Sequence, residues 1–222
     1  MDEAGRGPAI GPIVFGLVIA TPDQLDTLRE AGVDDSKKLS KKKREEFHDI
    51  ITETVSVYDT LAVDAVEIDH LRDSITMNQI EVKKFRELVQ PYVKNIDLLQ
   101  LDAADVNAVR FGRQFNDLID GEIDSRHKGD SIFVAVGAAS ILAKLERDRL
   151  VEELQQQITD TDSSLPSFGS GYPAQAKPFL EAYVKKYGEL PDFARKSWKT
   201  SKDALYRFKE KKTEQQSLAD FS

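Results

Sequence analysis

Two adjacent acids, Asp2 and Glu3, run straight into Gly5-Arg6-Gly7-Pro8, and this is the most chemically loaded stretch of the chain. Carboxylate oxygens can hold a hard cation. Glycine backbone beside them lets a phosphate or a sugar come close, because no Cβ stands in the way. Two familiar phosphate motifs are excluded. Gly5-Arg6-Gly7-Pro8-Ala9-Ile10 lacks the third glycine of a dinucleotide fingerprint, and neither this run nor the stretch from Gly137 to Lys144 has the Walker spacing.

Two further acids sit at the edges of apolar segments: Asp102 closes the run 96–101, and Asp130 precedes the longest helical signal. Strand ends on one side of an α/β sheet form the crevice where ligands bind. Acids gathered there repel one another unless cations share them. Oxygen-only donors suit Mg²⁺ or Mn²⁺, and a pair of such ions about 3.5–4 Å apart is the arrangement for in-line phosphodiester cleavage. Successive strand residues face opposite ways, so Asp2 and Glu3 reach one centre only if the strand ends or bulges, or if Glu3 ligates by another atom. By position alone, Asp130 also suits a helix N-cap, Asp102 a strand-ending turn and Asp105 a helix cap. His127 lies three residues before Asp130 and reads as a hydrogen-bonded loop histidine, and Trp198 as packing.

The elements that must position these groups follow from the apolar periodicity. Strands are expected over 10–20, 54–63, 96–101 and 122–126. Helices are expected over 41–52 behind a Ser40 cap, 77–89, 104–118, 138–157, 174–187 and 200–212. Strands alternating with helices predict an α/β sheet, and the last third is mostly helical. At 222 residues the chain can bury one full core, here with an appendage. The absence of cysteine removes disulfides, thiolate nucleophiles and cysteine zinc sites. No apolar run approaches the ~20 residues of a membrane span, and no signal-peptide core follows the start, so a cytoplasmic protein with no membrane partner is expected. A net charge of −8 argues against a nonspecific nucleic-acid coat, but the cations cluster, at Lys37, Lys38 and Lys41 to Arg44 and again from Arg195 to Lys212.

Six blocks in order, Asp2 to Pro8, Asp35-Ser36-Lys37-Lys38-Leu39, Asp102-Ala103-Ala104-Asp105, Lys128-Gly129-Asp130, Ala138 to Lys144, and Gly169-Ser170-Gly171-Tyr172-Pro173, together resemble type 2 ribonuclease H in its archaeal form. The resemblance implies an endoribonuclease that cuts the RNA strand of RNA/DNA hybrids and incises DNA 5′ of an embedded ribonucleotide, leaving 3′-hydroxyl and 5′-phosphate ends. It implies a mixed five-stranded ribonuclease H-like sheet flanked by helices, with a catalytic domain over 1–157, a helical part over 158–212 and a flexible tail over 213–222. It carries the metal-binding catalytic acids over as Asp2, Glu3, Asp102 and Asp130, holding two Mn²⁺ or Mg²⁺ ions. Gly5, Arg6 and Gly7 would read the 2′-hydroxyl, with Tyr172 packing on the adjoining deoxyribose. That division of labour makes sense, since only the 2′-hydroxyl separates the two sugars at one position.

Lys37 and Lys38, with the cations that oppose the dipole in the first turn of the helix from Lys41, are expected to face phosphates of a hybrid or ribonucleotide-containing duplex. Gln215, Leu218 and Phe221 have the spacing of a short motif that docks in a sliding clamp, although Ser222 replaces its second aromatic residue. A monomer is expected. In the family, apolar residues precede the first acid; here Met1 does so alone, which predicts either another start or a weakly held Asp2. Two alternatives remain: a silent hybrid-binding or clamp-adaptor protein, and another nuclease of this fold such as a resolvase.

Overall fold

A computed structural model of the chain describes residues 1–33 and 39–219, with side chains for all of these except Asn95 and 211–219. Lys37, Lys38 and Phe221 therefore lie outside the described residues, as do the side chains of Gln215 and Leu218. Contacts divide the chain into two units. The first is Met1–Ala4, Ile13–Ala62 and Ile75–Arg147; the second is Gly5–Pro12, Val63–Ser74 and Asp148–Ser222.

The first unit holds the strands. β1 (Asp2–Ala4) pairs antiparallel with β2 (Ile13–Ile19), placing Asp2 opposite Gly16 and Glu3 opposite Phe15, and β3 (Val57–Val63) extends that sheet beyond β2. β4 (Leu98–Asp102) and β5 (Glu122–Arg126) form a parallel pair. Met1 joins the two ladders: its nitrogen donates to Gln100 O at 2.7 Å and its carbonyl accepts from Asp102 N at 3.1 Å. Those two bonds are the pattern of a parallel pairing. The five strands therefore run in the order β3-β2-β1-β4-β5, a mixed sheet. The expected weak hold on Asp2 is not found: the side chain is 5% exposed.

Because side chains alternate along a strand, β2 serves two layers. Phe15 packs edge-on against Phe85 of α4 (Met77–Val89), ring centroids 5.0 Å apart, and Phe85 continues to Phe111 of α5 (Ala108–Arg113) at 6.4 Å. On the other face Val18 joins a core with Leu28 of α1 (Pro22–Glu30), Phe47 and Ile51 of α2 (Lys41–Thr54), and Ala138, Ala139 and Leu142 of α6 (Val134–Thr161). Small residues on α6 let its backbone come against the sheet. A Cβ added to Gly16 would stand 2.3 Å from Ala139 O.

Several helices are set by their caps. Ser40 Oγ accepts from Lys43 N to start α2, and Thr21 and Thr76 open α1 and α4 with reciprocal bonds to Gln24 and Gln79. The pattern predicted neither α1 nor α3 (Ala65–Arg72), both short and mostly solvent-facing. The helix expected over 104–118 shrinks to α5, because Asn107 is its cap and Asp105 ties the preceding loop. Arg147 of α6 is buried, 4% exposed.

The second unit is helical: α3, the later turns of α6, α7 (Pro173–Tyr187) and α8 (Lys199–Ala219). Its core gathers Ile10, Val151, Phe168, Phe179, Leu180, Val184 and Ala194. The stretch expected as a flexible tail is helical through Ala219. Substituting Gly16→Ala should force α6 away from β2 and destabilise the protein by about 1–3 kcal/mol in denaturant unfolding; a stability equal to the native chain would show that this close approach is not needed.

Candidate active site

The sheet register decides which acids meet. Asp2 shares a face with Gly16, turned toward α6, whereas Glu3 shares the opposite face with Phe15. Met1 stands opposite Leu101, so the next residue, Asp102, falls on the Asp2 face. The structure therefore brings the side chains of Asp2 and Asp102 together and directs that of Glu3 to the other side of β1. Glu3 N donates to Asp2 Oδ1 at 2.8 Å, so the pair also interact through the backbone.

Burial pushes the Asp2 carboxyl well above the usual carboxylate range, and the neighbouring charge of Asp102 adds to the rise. Ser140, the Glu3 N–H and Lys144 oppose it. Ser140 and Lys144 lie one turn apart on α6 and face the same carboxylate. Ser140 Oγ is fully buried and makes no hydrogen bond of ordinary geometry among the described residues, yet it lies near enough to favour the charged form of Asp2. The α6 block contains these two residues, but its sequence alone suggested no role for them; their i, i+4 spacing was the available signal.

Asp102 is fixed from its other side. Gly129 N donates to Asp102 Oδ1 at 2.8 Å, and a Cβ on Gly129 would stand 2.9 Å from Leu101 O and 3.0 Å from Asp102 Cα. Only glycine allows the 129–131 turn to sit so close to the end of β4. Lys128 ahead of it takes a left-handed conformation (φ 60°), which is strained for a residue with a side chain. Asp130 follows in this turn, accepts from Ser131 Oγ at 3.3 Å, and lies ahead of α6 rather than capping it, since that helix starts at Val134.

The loop after β4 is braced by Asp105, which accepts from Asn107 N at 2.9 Å and twice from Arg110, at 2.6 and 2.7 Å. Those bonds hold its carboxyl below the usual range. The His127 ring lies between Ala103 O and Val106 O, at 3.4 and 3.3 Å, and so links this loop to the 127–131 turn.

Among the described residues no three acid or imidazole side chains already close on one cation position. The donors are nonetheless the kind a hard cation takes. All are oxygens, and a buried carboxylate beside a second carboxylate has electrostatic demand that its neighbours meet only in part.

Within the second unit, the Gly5-Arg6-Gly7 turn and Tyr172 come together: a Cβ added to Gly7 would lie 3.3 Å from the Tyr172 ring. Tyr172 is half exposed at the N-cap of α7, and Gly171 O accepts from both Ala9 N and Ile10 N, at 2.8 and 3.3 Å. A flat exposed ring thus stands beside a glycine turn.

Residues 1–201 match the family model described as Ribonuclease HII. The chain belongs to the ribonuclease HII family. A ribonuclease HII of Thermococcus onnurineus is 40% identical, over all of this chain and 96% of that relative. The crystal structure of ribonuclease H2 from Pyrococcus horikoshii superposes with a TM-score of 0.84 at 35% identity, covering 94% of this chain and 96% of that one. The ribonuclease HII in the PCNA:RNase HII complex from Archaeoglobus fulgidus gives 0.80 at 31% identity, covering 91% and 94%. Family membership makes the protein a ribonuclease H, an endoribonuclease that hydrolyses phosphodiester bonds. No helix among the described residues is long and apolar enough to cross a membrane.

Substituting Gly129→Ala should lower the cleavage rate constant at least about tenfold by shifting Asp102, since misplacement by ~1 Å at a reacting centre can cost that much or more. Steady-state kinetics on a hybrid duplex checks it, and an unchanged rate constant would mean that the turn does not position Asp102.

Proposed function

We propose that this ribonuclease H cleaves the RNA strand of RNA/DNA hybrids and incises DNA 5′ of an embedded ribonucleotide, with Asp2, Glu3, Asp102 and Asp130 serving the catalytic centre. The observation that carries the reading is the placement of Asp2 and Asp102 on one face of the sheet, one buried and the other held by Gly129. Divalent ions, Mg²⁺ or Mn²⁺, would supply an activated water and stabilise the leaving oxygen. Asp2 and Asp102 are the two side chains best placed to hold them. Asp130 joins from the neighbouring turn, and Glu3 contributes through an atom that β1 does not turn toward Phe15.

Gly5, Arg6 and Gly7 read the 2′-hydroxyl, and Tyr172 packs on the next deoxyribose, where a ribose would crowd the ring. Lys37 and Lys38 contact phosphates. The reading makes the protein a monomer that works on its nucleic-acid substrate in the cytoplasm.

The decisive assay uses a duplex with one embedded ribonucleotide. The native chain should cut it with Mg²⁺ or Mn²⁺ and stop on chelation, and Asp102→Asn should lose roughly 10²-fold or more in rate while still binding the duplex. Binding without cutting would instead indicate a silent adaptor, and cutting of four-way junctions alone a resolvase.

A second reading rests on a different observation. The Archaeoglobus fulgidus relative is solved as a complex with PCNA, and the chain here ends in the Gln215, Leu218 and Phe221 spacing. We propose that the tail docks in a sliding clamp. Removing residues 213–222 should abolish binding to an archaeal clamp in surface plasmon resonance and leave cleavage of free duplex unchanged; retained binding would place the contact elsewhere.

A further inference from the structure

Among the described residues Arg195 is the largest fully buried side chain, and it serves the turn rather than the acids. Its guanidinium donates to three carbonyls: Nε to Gly11 O at 3.0 Å, one terminal nitrogen to Arg6 O at 3.1 Å and the other to Gly5 O at 2.7 Å. Trp198 lies under the guanidinium, 4.9 Å from carbon to ring centroid, and donates its indole N–H to Gly7 O at 3.3 Å. Every carbonyl of Gly5-Arg6-Gly7 is therefore held from below by one of two side chains.

That hold extends into the backbone on both sides. Residues 9–11 and 193–195 pair like strands, through Arg195 N to Ala9 O at 2.9 Å and Gly11 N to Phe193 O at 2.9 Å. Asp69 on α3 accepts from Lys196 N, Ser197 N and Ser197 Oγ, at 2.6, 3.0 and 2.5 Å, and so fixes the chain directly after Arg195. Burying a guanidinium is expensive unless its donors are met. Here peptide carbonyls meet them, and the cation is tied to those particular peptides.

The consequence lies in the geometry of the peptide bond. In a trans peptide the carbonyl and the following N–H point in opposite directions. With Gly5 O and Arg6 O turned in toward Arg195, the N–H groups of Arg6 and Gly7 are turned out. Gly7 O is also turned in, but the next residue is Pro8, which has no N–H to present. The outer side of the turn thus carries the N–H of Gly7, the residue that packs against the Tyr172 ring.

We infer that Arg195, with Trp198, is the positioning residue that fixes the orientation of the Gly5-Arg6-Gly7 peptides and thereby sets the preference for a ribonucleotide over a deoxyribonucleotide. The inference rests on the reading that this turn senses the 2′-hydroxyl. It gives Arg195 no contact with substrate and no part in the bond cleavage. A single point charge such as lysine cannot replace it, because three carbonyls in different directions need the planar fork of donors.

The experiment compares binding of two otherwise identical duplexes, one with a single ribonucleotide and one all DNA, in Ca²⁺, by fluorescence anisotropy on the full chain. Variants Arg195→Lys and Trp198→Phe are used; the second keeps the ring under the guanidinium and removes only the bond to Gly7 O. Mn²⁺ binding to each variant is followed by calorimetry, which a general loss of structure would weaken and a displaced turn would not. Hydrogen bonds to a charged donor are worth enough that Arg195→Lys should shrink the ribonucleotide preference at least about tenfold, and Trp198→Phe about threefold, with Mn²⁺ affinity unchanged. If Arg195→Lys does not fold, Trp198→Phe decides alone. A native preference that survives in the folded variants overturns the inference and leaves the reading of the turn intact. A native chain with no preference overturns that reading, and the inference with it.

Discussion

Two like-charged carboxylates on one face at the seam between β1 and β4 are the constraint around which the first unit is organised. Burial raises the free energy of the Asp2 anion, Asp102 raises it further, and one hydroxyl, one N–H and one ammonium offset part of it. A fold keeps such an arrangement only if surrounding structure over-determines it. Here Ala139 and Ala143 of α6 press against the sheet at Gly16, and the 129–131 turn presses an N–H against Asp102. The strain recorded at Lys128 belongs to the same construction. A divalent cation bound here would relieve the repulsion, and that is the physical reason behind the proposal that hydrolysis takes place at this face.

The second unit meets a different constraint, that of holding the peptide groups of the Gly5-Arg6-Gly7 turn in one orientation. Loops seldom hold peptide groups in one orientation without help, because their hydrogen bonds can go to water. Arg195 and Trp198 remove that freedom from below, and the strand-like pairing of residues 9–11 with 193–195 anchors the following segment. The boundary between the two units falls between Ala4 and Gly5, so Asp2 and Glu3 belong to the first unit and the glycine turn to the second.

Much of this was legible in the sequence, for identifiable reasons. α4 has near-helical apolar spacing through Met77, Ile80, Phe85 and Leu88, and the observed bounds of α4 and β5 are the expected ones. The acids were visible because each stands at the edge of an apolar run. What was not legible depends on register and on long-range contacts. That Asp2 rather than Glu3 shares a face with Asp102 is fixed by pairing with Gly16 and by the two bonds of Met1, which no local pattern encodes. Arg195 looked like one cation in a basic cluster, because a buried guanidinium and a solvated one are spelled the same way. α1 had its signal in Thr21-Pro22-Asp23-Gln24, a capping box with proline at the first helical position. Its mostly exposed surface gave the periodicity little to show.

The central claim is that the shared face of Asp2 and Asp102 is where the divalent ions of a ribonuclease H act. It is tested most directly by crystallising the chain with Mn²⁺ and a duplex carrying one ribonucleotide, and locating manganese by its anomalous scattering. The account predicts manganese bound by oxygens of both Asp2 and Asp102, next to the phosphate on the 5′ side of the ribonucleotide. Manganese bound only elsewhere, with both carboxylates unligated, would contradict it.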